Sequence, residues 1–283
     1  MPQCGVFYMT LEQEPNLAPV MLIVIGNSHV AGAVFRNDVL AERMLLDIKT
    51  SRHEEVEQFL RNNQDVSYAL ICSINGRIER KITEILHRYE VPYSFTRDHT
   101  FALSLNTDEP EKVASDRIAD MYGALRLYPG NSVIVNISTT VTFDVVSADG
   151  KFIGGVIYPG LDMSARAMAQ QTDQLPYVDI NKPQHCGATT TKGNICCGIY
   201  YGLLGAVEKI LSDLKKEYFP NEEVSTLVTG SSIIFMGDDV PHNALAKELR
   251  RDLSPLVDAI EPFIALIGLN EMVKEILLNQ QEH

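Results

Sequence analysis

Positive charge is scarce in this sequence. Lys and Arg total 24 against 37 Asp and Glu, a formal net charge of −13, and a field of that sign repels phosphate backbones and anionic lipid. Without a local basic patch, nucleic acid is excluded as a partner, and so is a membrane surface. Cysteine in metal-binding spacing is lacking too. Cys4, Cys72, Cys186, Cys196 and Cys197 form no pair of CxxC elements that could hold zinc, and their odd number suits reduced thiols better than a disulfide framework. The adjacent Cys196 and Cys197 fall in a stretch that reads as helix, where neighbouring side chains point about 100° apart, which disfavours a metal clip. The seven histidines are scattered and make no ligand pair, so His29 and His185 read as turn or surface residues. No apolar run reaches the roughly 18 residues of a membrane span. The first twenty residues have neither the basic start nor the apolar centre of a signal peptide. A cytoplasmic protein is the expectation.

What is present is enough apolar material for a large core. With 283 residues and 45% hydrophobic content, two medium domains are expected. Residues 1–20, with Pro2, Pro15 and Pro19, read as an extension. Met21 to Ile25, Val30 to Phe35 and Val39 to Ile48 read as strands, the last two joined at Asn37-Asp38. A helix over Glu54 to Arg61, a strand over Tyr68 to Ser73, a helix over Ile78 to Tyr89 and a strand near Val91 to Ser94 follow. After a helix over Asp116 to Leu127 the pattern restarts, with strands at Ser132 to Ile137, Val141 to Val146 and Phe152 to Ile157 and a hairpin turn at Ala148-Asp149-Gly150. Helices at Met163 to Gln170 and Ile195 to Lys216, a strand at Ser225 to Val228 and a helix at Glu261 to Leu278, broken near Gly268, complete it. Three antiparallel strands followed by alternating helix and strand, given twice, predict an α/β fold of two ribonuclease-H-like halves, 21–113 and 114–283, with a cleft between them.

Two turns then occupy matching places, Gly26-Asn27-Ser28 and Ser138-Thr139-Thr140, each between the first and second strand of its half. Alone, the first is explained equally well as a hairpin. As a pair, facing across a cleft, they suit a phosphate chain. At Val113-Ala114-Ser115-Asp116-Arg117, one reading caps a helix with Ser115 or Asp116 and leaves Arg117 solvated. The other makes Asp116 a general base and Arg117 a carboxylate clamp. Gly154-Gly155 and Tyr158-Pro159-Gly160-Leu161 imply close backbone approach to a ligand or a tight corner, and Thr189-Thr190-Thr191 a helix cap or a substrate hydroxyl.

In this order the pieces resemble the type III pantothenate kinases, the Bvg accessory factor family, within the superfamily of actin, sugar kinases and heat-shock ATPases. VIGNS stands against DVGNT, ASDR against GxDR, NISTTVTFD against DFGTATTFD and TDQLP against TAxLP, followed by GIYYG and Thr229-Gly230. The resemblance implies ATP-dependent phosphorylation of pantothenate, the first step of coenzyme A synthesis, in a homodimer needing Mg²⁺ and a monovalent cation, K⁺ or NH4⁺. It implies that Val24, Ile25, Gly26, Asn27, Ser28, His29, Val30 and Ala31 lie along ATP, with Thr139 on its phosphate. Asp116 is implied as proton acceptor, and Thr107, Ala114, Ser115, Arg117 and Thr191 as pantothenate contacts. The position of Asn136 is implied to hold the monovalent cation.

Four of these positions depart from the pattern. Val24 and Asn136 stand where it has aspartates, Ala114 where it has glycine, and Thr107 where it has a substrate-facing tyrosine. Valine offers Mg²⁺ no oxygen, and asparagine keeps an acceptor without charge. Two readings follow: a kinase in which another carboxylate, Asp144 being the candidate, substitutes, or a catalytically degenerate relative acting as a binding or regulatory protein.

Overall fold

The computed structural model describes residues 18–48, 53–233 and 243–281. The expected extension, but for its last three residues, lies outside them. Strand β1 (Val20–Ile25) pairs antiparallel with β2 (His29–Arg36), which pairs with β3 (Val39–Asp47). Asn37 and Asp38 both take positive φ, 50° and 64°, as a two-residue type I′ hairpin requires. Helix α1 (His53–Asn62), β4 (Tyr68–Ser73), α2 (Gly76–Arg88) and β5 (Tyr93–Phe95) follow, with β4 parallel to β1 and β5 parallel to β4. The sheet runs β3-β2-β1-β4-β5. Its central strand, VMLIVI, has few exposed atoms because both faces are covered. Met21, Ile23 and Ile25 pack with Val56, Leu60 and Ile82 on the α1/α2 side.

The second sheet is built from β6 (Ser104–Leu105), β7 (Asn131–Ile137), β8 (Thr140–Val146), β9 (Lys151–Pro159), β10 (Val224–Thr229) and β11 (Ala259–Ile260), in the order β11-β10-β7-β8-β9-β6. From β9 to β11 it repeats the order and directions of the first sheet, so the predicted duplication is present. Helices α3 (Ser115–Leu127), α4 (Leu161–Gln171), α5 (Thr191–Tyr218), α6 (Asn243–Leu253) and α7 (Ile264–Gln281) complete the described chain. By length and composition α5 could cross a membrane. In the fold it is a core helix, with Ile195, Ile199, Leu203, Val207 and Leu211 on one stripe against the second sheet. Thiols fasten it to the preceding loop: Cys196 donates to Asn181 O at 3.0 Å and Cys197 to His185 O at 3.2 Å. Among the described residues Cys72, Cys186, Cys196 and Cys197 are free thiols.

Packing crosses the boundary expected at residues 113 and 114. Strand β6 joins the second sheet, whereas α7 returns to the first, where Leu266, Leu269 and Met272 pack with Val20, Leu22 and Leu70. Helix α7 is unbroken at Gly268, contrary to expectation. A side chain there would stand 1.8 Å from Ala119 O of α3, so this glycine serves a helix crossing rather than a break. The sequence reading passed over α6, although Ala246, Leu249 and Leu253 are buried at helical spacing. It also passed over the two-residue strands β6 and β11, which are too short to show a period.

Candidate functional site

The two matching turns meet. Gly26 N donates to His29 O at 2.9 Å and Ser138 N donates to Thr140 O at 2.9 Å, so each turn closes on itself. Across the gap the Ser28 and Thr139 hydroxyls share a hydrogen bond of 3.0 Å. A cavity of about 300 Å³ lies beside this contact. The Gly26 and Ser138 amides are thus used internally, whereas Asn27, Ser28 and Thr139 line the cavity. Two glycines brace the second turn. At Gly160 a side chain would come within 2.4 Å of Ser138 O and Thr139 O, and at Gly230, which has φ +108°, within 2.4 Å of Ile137 O. The glycines of the YPGL and Thr229-Gly230 stretches thus admit neighbouring protein backbone.

Val24, Gly26, Asn27, Ser28, His29, Ala31, Ala114, Asp116, Arg117, Asn136 and Thr139 line the cavity. Ile25 and Val30, expected along ATP, do not: strand alternation turns them into the core under α1 and α2. Ser115 is also outside the lining. Thr107 lies in the loop before α3 with its hydroxyl buried and unpartnered, away from the cavity. Thr191 is exposed at the start of α5, while the cap is Thr190, whose hydroxyl accepts from Gly193 N at 3.1 Å.

Helix α3 carries the chemistry. Its N-cap is Ala114, with no capping side chain, so Ser115 and Asp116 are not caps. Asp116 is half-buried, its Oδ1 accepts from Arg117 N at 3.0 Å, and burial lifts its carboxyl above the usual range. A carboxylate of raised basicity suits proton abstraction. Arg117 is not solvated. Its Nε donates to Asp144 Oδ1 at 2.8 Å and Nη2 reaches the same oxygen. Asp144 is fully buried and also accepts from Thr142 Oγ1 at 3.2 Å. It is absent from the lining, so the carboxylate expected to replace the missing ones instead holds Arg117.

Asp120 was missed by the sequence reading. It stands one turn beyond Asp116 on the same helix face, lines the cavity and is 1% exposed. Its Oδ2 accepts from Asn136 Nδ2 at 2.6 Å, and Asn136 Oδ1 accepts from Ser138 Oγ at 2.6 Å. Its Oδ1 has no partner. The four-residue spacing from Asp116 was the signal available. Among the described residues no three His, Cys, Asp or Glu side chains converge as a metal cage. The two turns carry no acidic side chain, so an Mg²⁺ ion beside them would be held through a bound ligand and water.

The family model of the type III pantothenate kinases matches residues 20–213. A type III pantothenate kinase of Legionella pneumophila strain Paris is 29% identical over 222 residues, 75% of this chain and 87% of the relative. The one from Thermobifida fusca is 28% identical over 263 residues, 88% of this chain and 96% of the relative. Among solved structures, a Baf family protein of Campylobacter jejuni superposes with a TM-score of 0.52 at 16% identity, covering 90% of this chain and 98% of that one. A protein assigned as a 2-dehydro-3-deoxygalactonokinase from Sinorhizobium meliloti gives 0.50 at 14%, covering 91% and 99%. These two share the fold. The family match runs from β1 well into α5 and so takes in both turns and the helix of Asp116: the chain belongs to the type III pantothenate kinase family.

Proposed function

We propose that this chain transfers the γ-phosphoryl group of ATP to the primary hydroxyl of pantothenate, as its relatives are named for doing. The observation that carries the proposal is the half-buried Asp116 in a cavity whose mouth is formed by the two facing turns. Asn27, Ser28 and Thr139 would contact the phosphates and Arg117 the pantothenate carboxylate. Asp116 takes the hydroxyl proton, the freed oxygen bonds to the γ-phosphorus, and the bond from that phosphorus to its bridging oxygen breaks to release ADP. Phosphoryl transfer asks mainly for positioning and charge neutralisation. Mg²⁺, when bound, would neutralise the phosphate oxygens.

A homodimer, a cytoplasmic location and a requirement for K⁺ or NH4⁺ belong to the same reading. Support for the dimer comes from the exposed apolar side chains Ile157, Met163 and Tyr177 and from Thr191, which lies outside the cavity of its own chain. In a dimer, Thr191 would contact the substrate held by the partner copy. The test is release of ADP in a coupled assay with pantothenate, Mg²⁺ and K⁺, run beside Asp116→Asn. Turnover that vanishes in a folded variant supports the enzyme. Absence of turnover in the unaltered chain overturns it in favour of the degenerate binding protein, the reading that Val24 in the cavity lining would then explain.

A further inference from the structure

A buried polar atom without a partner calls for an explanation, an ion among them. Asp120 Oδ1 is such an atom, on a residue that lines the cavity. The carboxylates of Asp116 and Asp144 lie near it. The cations of the lining are engaged elsewhere, Arg117 with Asp144 and Lys112 with Glu109. The cluster therefore has more negative than positive charge in a place shielded from water, where an uncompensated charge is costly.

We propose that Asp120 anchors a monovalent cation, with Asn136 as the positioning residue that fastens Oδ2 and leaves Oδ1 to the ion. This is not the place where the family pattern expects the charge, which is Asn136 itself. The hydrogen bond of 2.6 Å between the two side chains makes them the members of one site with carboxylate and amide exchanged. A monovalent ion fits because the oxygens beside the Asp120 carboxylate, Asn136 Oδ1 and Ser138 Oγ, are neutral, and among the described residues no three His, Cys, Asp or Glu side chains converge as a metal cage. A divalent ion without phosphate would seek more carboxylate than this. The ion's role rests on the kinase reading, since it would lie in the cavity assigned to the phosphates. Its binding is tested without nucleotide, so that the two ideas fail separately.

The experiment is thermal unfolding of the full chain in KCl or NH4Cl against choline chloride at equal ionic strength, since a ligand of the native state raises Tm with its concentration. The unaltered chain is expected to gain Tm with K⁺ or NH4⁺. Asp120→Asn should lose that gain, and Asp120→Asn combined with Asn136→Asp should recover it. A purely structural Asp120 would instead shift Tm equally in all three salts, which overturns the proposal. So does an unaltered chain indifferent to monovalent cations, a response confined to Mg²⁺, or an exchanged variant that regains nothing.

Discussion

Arg117 donates to a carboxylate that has no contact with solvent, and this limits how it can be altered. Removing one partner of a buried pair leaves the other charge unpaired, so Arg117→Ala is expected to cost about 3–5 kcal/mol in a denaturant titration. Arg117→Lys keeps the charge and loses the planar fork. In that variant the KM for pantothenate should rise more than kcat falls. On the proposed reading, Asp116 sets the pH dependence. Proton abstraction needs the carboxylate, and burial raises the pKa above the ordinary 3.8, so kcat/KM should fall with decreasing pH at values above those of a free aspartate. A pH profile whose acid limb lies at the ordinary value would contradict this. Val24 sits in the lining between Ala31 and Cys72. On the proposed reading, Val24→Asp puts a carboxylate beside the phosphates and should raise turnover at limiting Mg²⁺ on the order of tenfold, less than the roughly hundredfold or more that one preorganised donor contributes.

At the scale of elements, the α3–α7 crossing ties the chemistry to the fold. A side chain at Gly123 would stand 2.1 Å from Ile264 O, and one at Gly268 1.8 Å from Ala119 O. The two helices touch through backbone, and α3 carries Asp116 and Asp120 while α7 covers the first sheet. Gly268→Ala forces them apart. Overpacking of this kind costs about 1–3 kcal/mol, which corresponds to a Tm lower by roughly 2–4 °C for each kcal/mol in a chain near this size. Calorimetry reads the loss. Helical spacing showed that α7 exists, but a glycine in a periodic stretch reads equally as a break or as a contact until its neighbour is known.

For the whole molecule, the hydrogen bond between Ser28 and Thr139 joins two turns 111 residues apart in sequence and holds the halves together at the mouth of the cavity. The second whole-molecule feature is a set of exposed apolar side chains. Ile157 is 66% exposed on β9 and Tyr177 41% exposed in the loop beyond α4. If these side chains form a subunit contact, the chain sediments as a dimer. Ile157→Glu should then shift it to monomer, because a charge at the core of an apolar interface must be desolvated.

The sequence by itself determined the longer strands, the duplicated order of elements and the two matching turns. Alternation, helical spacing and turn chemistry are local properties, and the restart after Leu127 is visible as a repeat of them. The α3 motif was also legible, but not the company it keeps. Asp144 turned from a candidate metal ligand into the partner of Arg117, Ile25 and Val30 turned inward, and Asp120 emerged beside Asn136. Each of these depends on contacts between segments distant in the chain, and which side chain faces a cavity is decided only when the sheets and helices pack around it.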